Sequence, residues 1–241
     1  MSETKTKSST SGTKKKKRKY VYHYETKNDS FIKMAKLLKS MGIKNYKFFL
    51  KLYDEKLRDV DPHDENLSPE IVTRIGREIR RNVWYYLREV VRIPVPGNPE
   101  GKRYELHRGN LALTWLQINN INCAEELPRQ NGKTISAECN FIYFYNYGTT
   151  NSQIAFFNKR YDDSKMNLQR FKDIRDALPV YLRAKSSKDK DNLTYVRSKD
   201  RKNDITAMPT ANDPDAADKL GRGSTQPLIV VALYFYREKF S

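Results

Sequence analysis

The sequence predicts an α/β protein, a parallel sheet covered by helices on both faces and built around a phosphate-binding loop. Three observations predict it. Gly132, Lys133 and Thr134 are the second half of a G-x-x-x-x-G-K-[ST] loop. In such a loop backbone N–H groups wrap phosphates, the lysine ammonium reaches the β/γ oxygens and the threonine hydroxyl holds Mg2+. Residues 118–127 before it supply Ile118, Ile121, Cys123, Ala124 and Leu127 for a short strand, and residues 134–147 after it set Ile135, Cys139, Ile142 and Tyr143 at helical spacing. Strand, loop, helix is the arrangement that aims a helix N-terminus at an anion. Further apolar runs at 153–157 and 228–236 then read as strands alternating with helices, the signature of a parallel sheet. The first glycine of the loop pattern falls at position 127, where this chain has Leu127.

Taken in order, residues 1–19 are Ser, Thr, Gly and Lys with no apolar anchor and predict a disordered tail. Residues 20–66 predict a helical accessory region, with Ile32, Ala35, Leu38, Phe48, Phe49, Leu52 and Leu57 at helical spacing over 29–58, a break near Gly42, and a closing acidic turn at 59–66. Residues 67–241 form the predicted phosphate-loop domain. Ser68 and Pro69 start a helix with a cap residue and a first-turn proline, and it is expected to run through Trp84, Tyr85 and Tyr86 to about Val91. Prolines 94, 96 and 99 mark a turn, a helix follows over 110–118, and Gly148 stands where the loop helix should end. A second strand is expected over 153–157 and a charged helix over 163–182. Residues 183–227 are polar and basic with few apolar anchors.

Charge narrows the partner. The chain of 241 residues carries a formal +17, of which residues 1–19 hold +7 and the remaining 222 residues +10. Such an excess points to a polyanion, nucleic acid being the common one. Lys14, Lys15, Lys16, Lys17, Arg18 and Lys19 make a nucleic-acid arm, a nuclear localisation signal or a solvated tail; composition alone separates none of these. Cys123 and Cys139 make neither a disulfide framework nor a zinc site, and both are expected as buried thiols. No run of about 18 apolar residues exists to span a membrane and no apolar stretch follows the basic N-terminus, so a soluble, cytosolic protein is expected. His23, His63 and His107 stand apart from any Cys or carboxylate at ligand spacing and read as ordinary surface or core residues. The aromatic cluster at 84–86 reads as core in preference to a base-stacking platform.

Leu127, Pro128, Arg129, Gln130, Asn131, Gly132, Lys133 and Thr134 together resemble the variant Walker A loop of the large terminase subunit of tailed bacteriophages, where an Arg-Gln pair precedes x-Gly-Lys-Thr and the first glycine is lacking. The residues at 84–91, 108–113, 157–159 with Asn167 and Leu168, and Gly221, Arg222 and Gly223 before the last apolar run are similar to further stretches of that family. The resemblance covers roughly residues 70–229. It implies a P-loop NTPase of the ASCE type with ATP and Mg as cofactors, and hydrolysis that drives double-stranded DNA into a procapsid. It also implies portal protein and small terminase subunit as partners, a homo-oligomeric ring on the procapsid, and the host cytoplasm as location. Position by position it gives Lys133 the β/γ-phosphates, Thr134 the magnesium, and Gln130, Asn131 and Gly132 a backbone cradle. Arg129 would face the γ-phosphate, where a planar cation stabilises transition-state charge; a surface arginine paired with Glu125 or Glu126 is the competing reading. Arg108 and Asn110 are candidates for adenine recognition.

The departures are as informative. A Walker B strand ends in Asp-Glu, the aspartate ordering water on magnesium and the glutamate polarising the attacking water. Here the run at 228–236 continues into Arg237, Glu238, Lys239, Phe240 and Ser241, no Asp follows residue 218, and no acid cluster suits the family's nuclease domain. The chain therefore reads as the amino-terminal part of a terminase, truncated before a recognisable Walker B, with little or no hydrolysis expected of it alone. The alternatives are another nucleic-acid-dependent ATPase of helicase type, and a product that binds ATP and DNA without turnover.

Overall fold

The computed structural model of the protein describes residues 21–22, 26–123, 132–158, 160–209 and 229–232. Helix α1 (Asp29–Ser40) buries Phe31, Met34 and Ala35 on one stripe and stops at Met41, just before Gly42. The helical continuation expected to 58 is replaced by two 3-10 turns, Phe48–Leu50 and Glu55–Leu57, around strand β2 (Lys51–Leu52), which pairs antiparallel with β1 (Val21–Tyr22). Phe49 and Leu50 are both fully buried there.

Ser68 accepts from Ile71 N at 3.4 Å and Pro69 opens helix α2 (Pro69–Ile79), as expected. That helix does not continue to Val91. Asn82 interrupts it: its Oδ1 accepts from Tyr85 N at 3.1 Å, while its Nδ2 donates to Lys51 O and Glu78 Oε1, both at 2.7 Å. A short polar side chain that bonds the backbone locally favours a cap over a helix interior. Helix α3 (Val83–Tyr85) starts afresh there and opens into a π-helical turn, Tyr86–Val90. Trp84, Tyr85 and Tyr86 are buried, and Phe31, Phe49 and Phe141 belong to the same apolar cluster, so residues before and after position 66 share one core.

The expected proline turn is a hairpin of β3 (Arg92–Val95) and β4 (Asn98–Arg103), leading to α4 (Arg108–Ile118). Residues 119–123 form no strand, and the rest of the strand expected over 118–127 lies outside the described residues. Ile118 is still helical, Asn119 caps the helix with Nδ2 donating to Trp115 O at 2.7 Å, and Asn120 turns the chain with φ of 55°. Asparagine tolerates that left-handed conformation better than most residues. Cys123 accordingly is exposed, not buried, whereas Cys139 is buried as expected.

Helix α5 (Lys133–Tyr143) passes into a second π-helical turn, Phe144–Gly148. Gly148 ends the helix where expected, without a left-handed backbone. Its role is close approach: a Cβ there would lie 3.0 Å from Phe144 Cδ1 and 3.1 Å from Tyr143 Cε1. Strand β5 (Gln153–Asn158), helix α6 (Tyr161–Asp176) and strands β6 (Lys190–Asp191), β7 (Tyr195–Arg197), β8 (Asp204–Pro209) and β9 (Ile229–Ala232) complete the described chain. The sheet runs β6-β7-β8-β5-β9. β5 is parallel to both β8 and β9, and β6, β7 and β8 pair antiparallel, so the fold is mixed α/β with a parallel centre and an antiparallel edge. α6 packs on β5 and β8, and α5 reaches the sheet through the edge-on pair Phe141 and Phe156, 5.8 Å apart. The strands within 183–227 carry few apolar residues because a polar anchor holds them. Asn203, fully buried, donates to Tyr145 O at 2.8 Å and Thr149 O at 2.9 Å and accepts from Ser152 N at 3.0 Å. Among the described residues no helix is long and apolar enough to cross a membrane.

Candidate functional site

Two helices begin side by side at the candidate site and run in the same direction. Asn110 Nδ2 donates to Ser136 Oγ at 3.2 Å, and one turn further Asn140 Nδ2 donates to Thr114 Oγ1 at 3.0 Å and Gln117 Oε1 at 2.7 Å. The rungs climb both helices together, which makes α4 and α5 parallel with their N-termini adjacent. Their positive dipole ends therefore point the same way.

The two starts are built differently. α4 is closed by a reciprocal cap: His107 Nδ1 accepts from Asn110 N at 3.4 Å while His107 N donates to Asn110 Oδ1 at 2.7 Å. With Nδ1 accepting, the neutral ring carries its proton on Nε2. α5 starts at Gly132, whose φ of 65° and ψ of 11° are left-handed and which offers no side-chain cap. Among the described residues the nearest neighbour of a Cβ built there is His107 Nε2, at 3.9 Å. Gly132 is thus needed for its backbone conformation.

A cavity of about 430 Å3 opens at these two helix starts, within the range of small-molecule sites. Ile93, Val95 and Ile135 give it an apolar wall, and Lys102, Arg103 and His107 supply cationic and donor groups. Lys102 Nζ is engaged by Glu105 Oε1 at 2.9 Å and Arg103 Nη1 stands 3.9 Å from Glu89 Oε2.

Further along α5, Glu138 is wholly buried on the face that Thr134 begins, one turn away. Burial pushes its carboxyl up to about 8, with Arg170 on α6 pulling in the other direction. Around it the carboxyl ends of β5 and β8 are tied together: Asn158 Oδ1 accepts from Ser164 Oγ at 3.2 Å and Asn167 Nδ2 at 2.9 Å, and Ser164 Oγ also reaches Met208 O at 3.0 Å. Ligands of α/β sheets gather outside such carboxyl ends.

Of the residues singled out by sequence, Gly132, Lys133 and Thr134 stand at the head of α5 with Gly132 lining the cavity. Asn110 lines it too, but as a strut: its carboxamide is buried and spent on His107 N, Glu105 O (2.7 Å) and Ser136. Arg108 is exposed and lies outside the cavity wall. Arg129, Gln130, Asn131 and the arm of Lys14, Lys15, Lys16, Lys17, Arg18 and Lys19 lie outside the described residues, as do Gly221, Arg222, Gly223 and Glu238. His63, read as an ordinary residue, is within 2.7 Å of Val90 O. His107 and the hairpin cations were not legible as site residues, although the three-residue spacing from His107 to Asn110 is a capping-box interval. Among the described residues no group of three or more His, Cys, Asp or Glu side chains is placed to hold a metal. No family model matches the chain, and comparison with curated proteins gives no match.

Proposed function

We propose that the chain binds Mg-ATP at the head of α5 and serves as the ATP-binding motor subunit of a viral DNA-packaging terminase, hydrolysis driving double-stranded DNA into a procapsid. The observation that carries the nucleotide part is the cavity at Gly132: a left-handed glycine opening an 11-residue helix, an apolar wall, and a histidine donor 3.9 Å from where a Cβ would stand. Lys133 supplies charge to the β/γ oxygens and Thr134 a hydroxyl toward magnesium. Ile93, Val95 and Ile135 hold the base, and Asn110 keeps the two helix starts in register. The motor part rests on the Arg129 and Gln130 loop sequence and on the basic charge of the chain, which suits a DNA partner. Portal protein, small terminase subunit, a ring of copies and the host cytoplasm belong to this reading.

Lys133→Ala deletes the side-chain charge that the loop aims at phosphate, a contact of the charge-assisted kind worth about 1.5–3 kcal/mol. Titration calorimetry with Mg-ATP should show affinity for the variant reduced by at least about tenfold. Equal affinity in the two proteins would sink the phosphate-loop assignment.

A further inference from the structure

A second cleft, of about 510 Å3, lies at the opposite end of the α4–α5 pair, where Ile118, Tyr143, Phe144 and Gly148 form one wall. Its other wall is the break between α2 and α3. Among the described residues three cations line it, Lys51, Arg80 and Arg81, and no Asp or Glu does. Arg80 and Arg81 are exposed and make no ion pair among the described residues. Glu78, on the same helix, is turned inward and consumed by Tyr53 N, Asp54 N and Asn82 Nδ2.

A fourth cation reinforces the field. Arg201 is anchored beneath the rim, its Nη1 donating to Thr149 O at 3.1 Å, and its pKa is lowered by burial and by the repulsion of Arg80. Like charges held close together raise the free energy of the unliganded protein, and a polyanion relieves that cost.

The floor decides between kinds of nucleic acid. Trp84, Tyr143 and Phe144 are each less than a tenth exposed, and Phe48 is packed edge-on against Trp84 at 5.5 Å. The more exposed Tyr53 ring lies under Lys51 Nζ at 5.5 Å. Single-strand sites stack bases on presented rings; Trp84, Tyr143 and Phe144 are spent on the core, Tyr53 stands under Lys51, and what the cleft chiefly presents is charge. We propose that this cleft grips the sugar-phosphate backbone of duplex DNA, with Arg80 and Arg81 as the principal phosphate contacts. The proposal deepens the DNA-partner part of the function proposed above and is independent of the nucleotide site.

The test is fluorescence anisotropy of the full chain with a labelled duplex across a salt series. Each phosphate contact contributes about 0.9 to the slope of log affinity against log salt. Arg80→Ala with Arg81→Ala should lower that slope by about 1.8 and weaken binding at low salt, whereas Arg80→Lys with Arg81→Lys should retain most of both. Both positions are exposed, and an unchanged thermal midpoint would show the fold intact. Wild-type slope and affinity in the double alanine variant overturn the proposal, as does tighter binding of a single strand than of the duplex. A wild-type chain that binds Mg-ATP but no duplex overturns the cleft while sparing the nucleotide site.

Discussion

The carboxyl of Glu138 and the guanidinium of Arg170 stand 3.4 Å apart, the first wholly buried and the second two-fifths exposed. Only one carboxyl oxygen takes part; Oε2 has no hydrogen-bond partner among the described residues. A half-exposed cation at that distance does not compensate for removing a carboxylate from water, so the proton stays on the acid to far higher pH than usual.

Stability should therefore depend on pH through this residue. Folding raises the Glu138 pKa from 4.5 to about 8, so the folded chain holds the proton more tightly than the unfolded one. The contribution is fully present below the unfolded value and is lost as pH rises toward the folded value. Denaturant midpoints of Glu138→Gln against wild type should coincide near pH 4.5 and diverge up to about pH 8, the variant becoming the more stable by a few kcal/mol at order of magnitude. A constant difference across that window would mean that Glu138 is ionised in the folded protein.

His107→Asn separates capping from ligand contact. Asparagine is among the best N-cap residues, so α4 should keep its start and the thermal midpoint should barely move. The Nε2 donor beside Gly132 disappears, however, and one hydrogen bond is worth about 0.5–1.5 kcal/mol net. Mg-ATP affinity should fall by a factor of about 2 to 10. Unchanged affinity with unchanged stability would remove His107 from the site.

Gly148→Ala sets two effects against each other. Alanine restricts the unfolded chain, a gain of about 0.4–1 kcal/mol where the backbone allows it. Its Cβ would press on Phe144 and Tyr143 at 3.0 and 3.1 Å, and both rings are buried and pinned by aromatic neighbours. Overpacking of that sort costs about 1–3 kcal/mol. The net should be a destabilisation near 1 kcal/mol, visible in urea unfolding; a stabilised variant would show that the rings give way.

Short-range chemistry was the legible part of this fold. Ser68 and Pro69 announce α2 because cap and proline act within one turn, and Gly132 announces the head of α5 because left-handed backbone selects glycine. Asn82 was not legible as a break, since helical spacing persists across it from Ile79 to Val83 and its competing partners, Lys51 O and Glu78, lie on other turns or elements. Strands β6, β7 and β8 were hidden for a related reason: they bury only Val196, Ile205 and Ala207 among their described apolar residues and are held by Asn203, whose bonds cross more than 50 residues. At the site, the head of α5 was readable as a motif. The hairpin that closes the cavity with Ile93 and Val95 was not, because its contribution depends on a fold that places it against α4.

The polar rungs between α4 and α5 have a mechanical consequence. Apolar helix faces slide past one another at little cost, but a shift of one residue, about 1.5 Å, would separate Asn140 from Thr114 and Gln117 and leave buried donors stranded. The pair is therefore a keyed strut about 16 Å long. The first turn beside Gly132 and the far end at Tyr143 and Phe144 are thereby held at one fixed register.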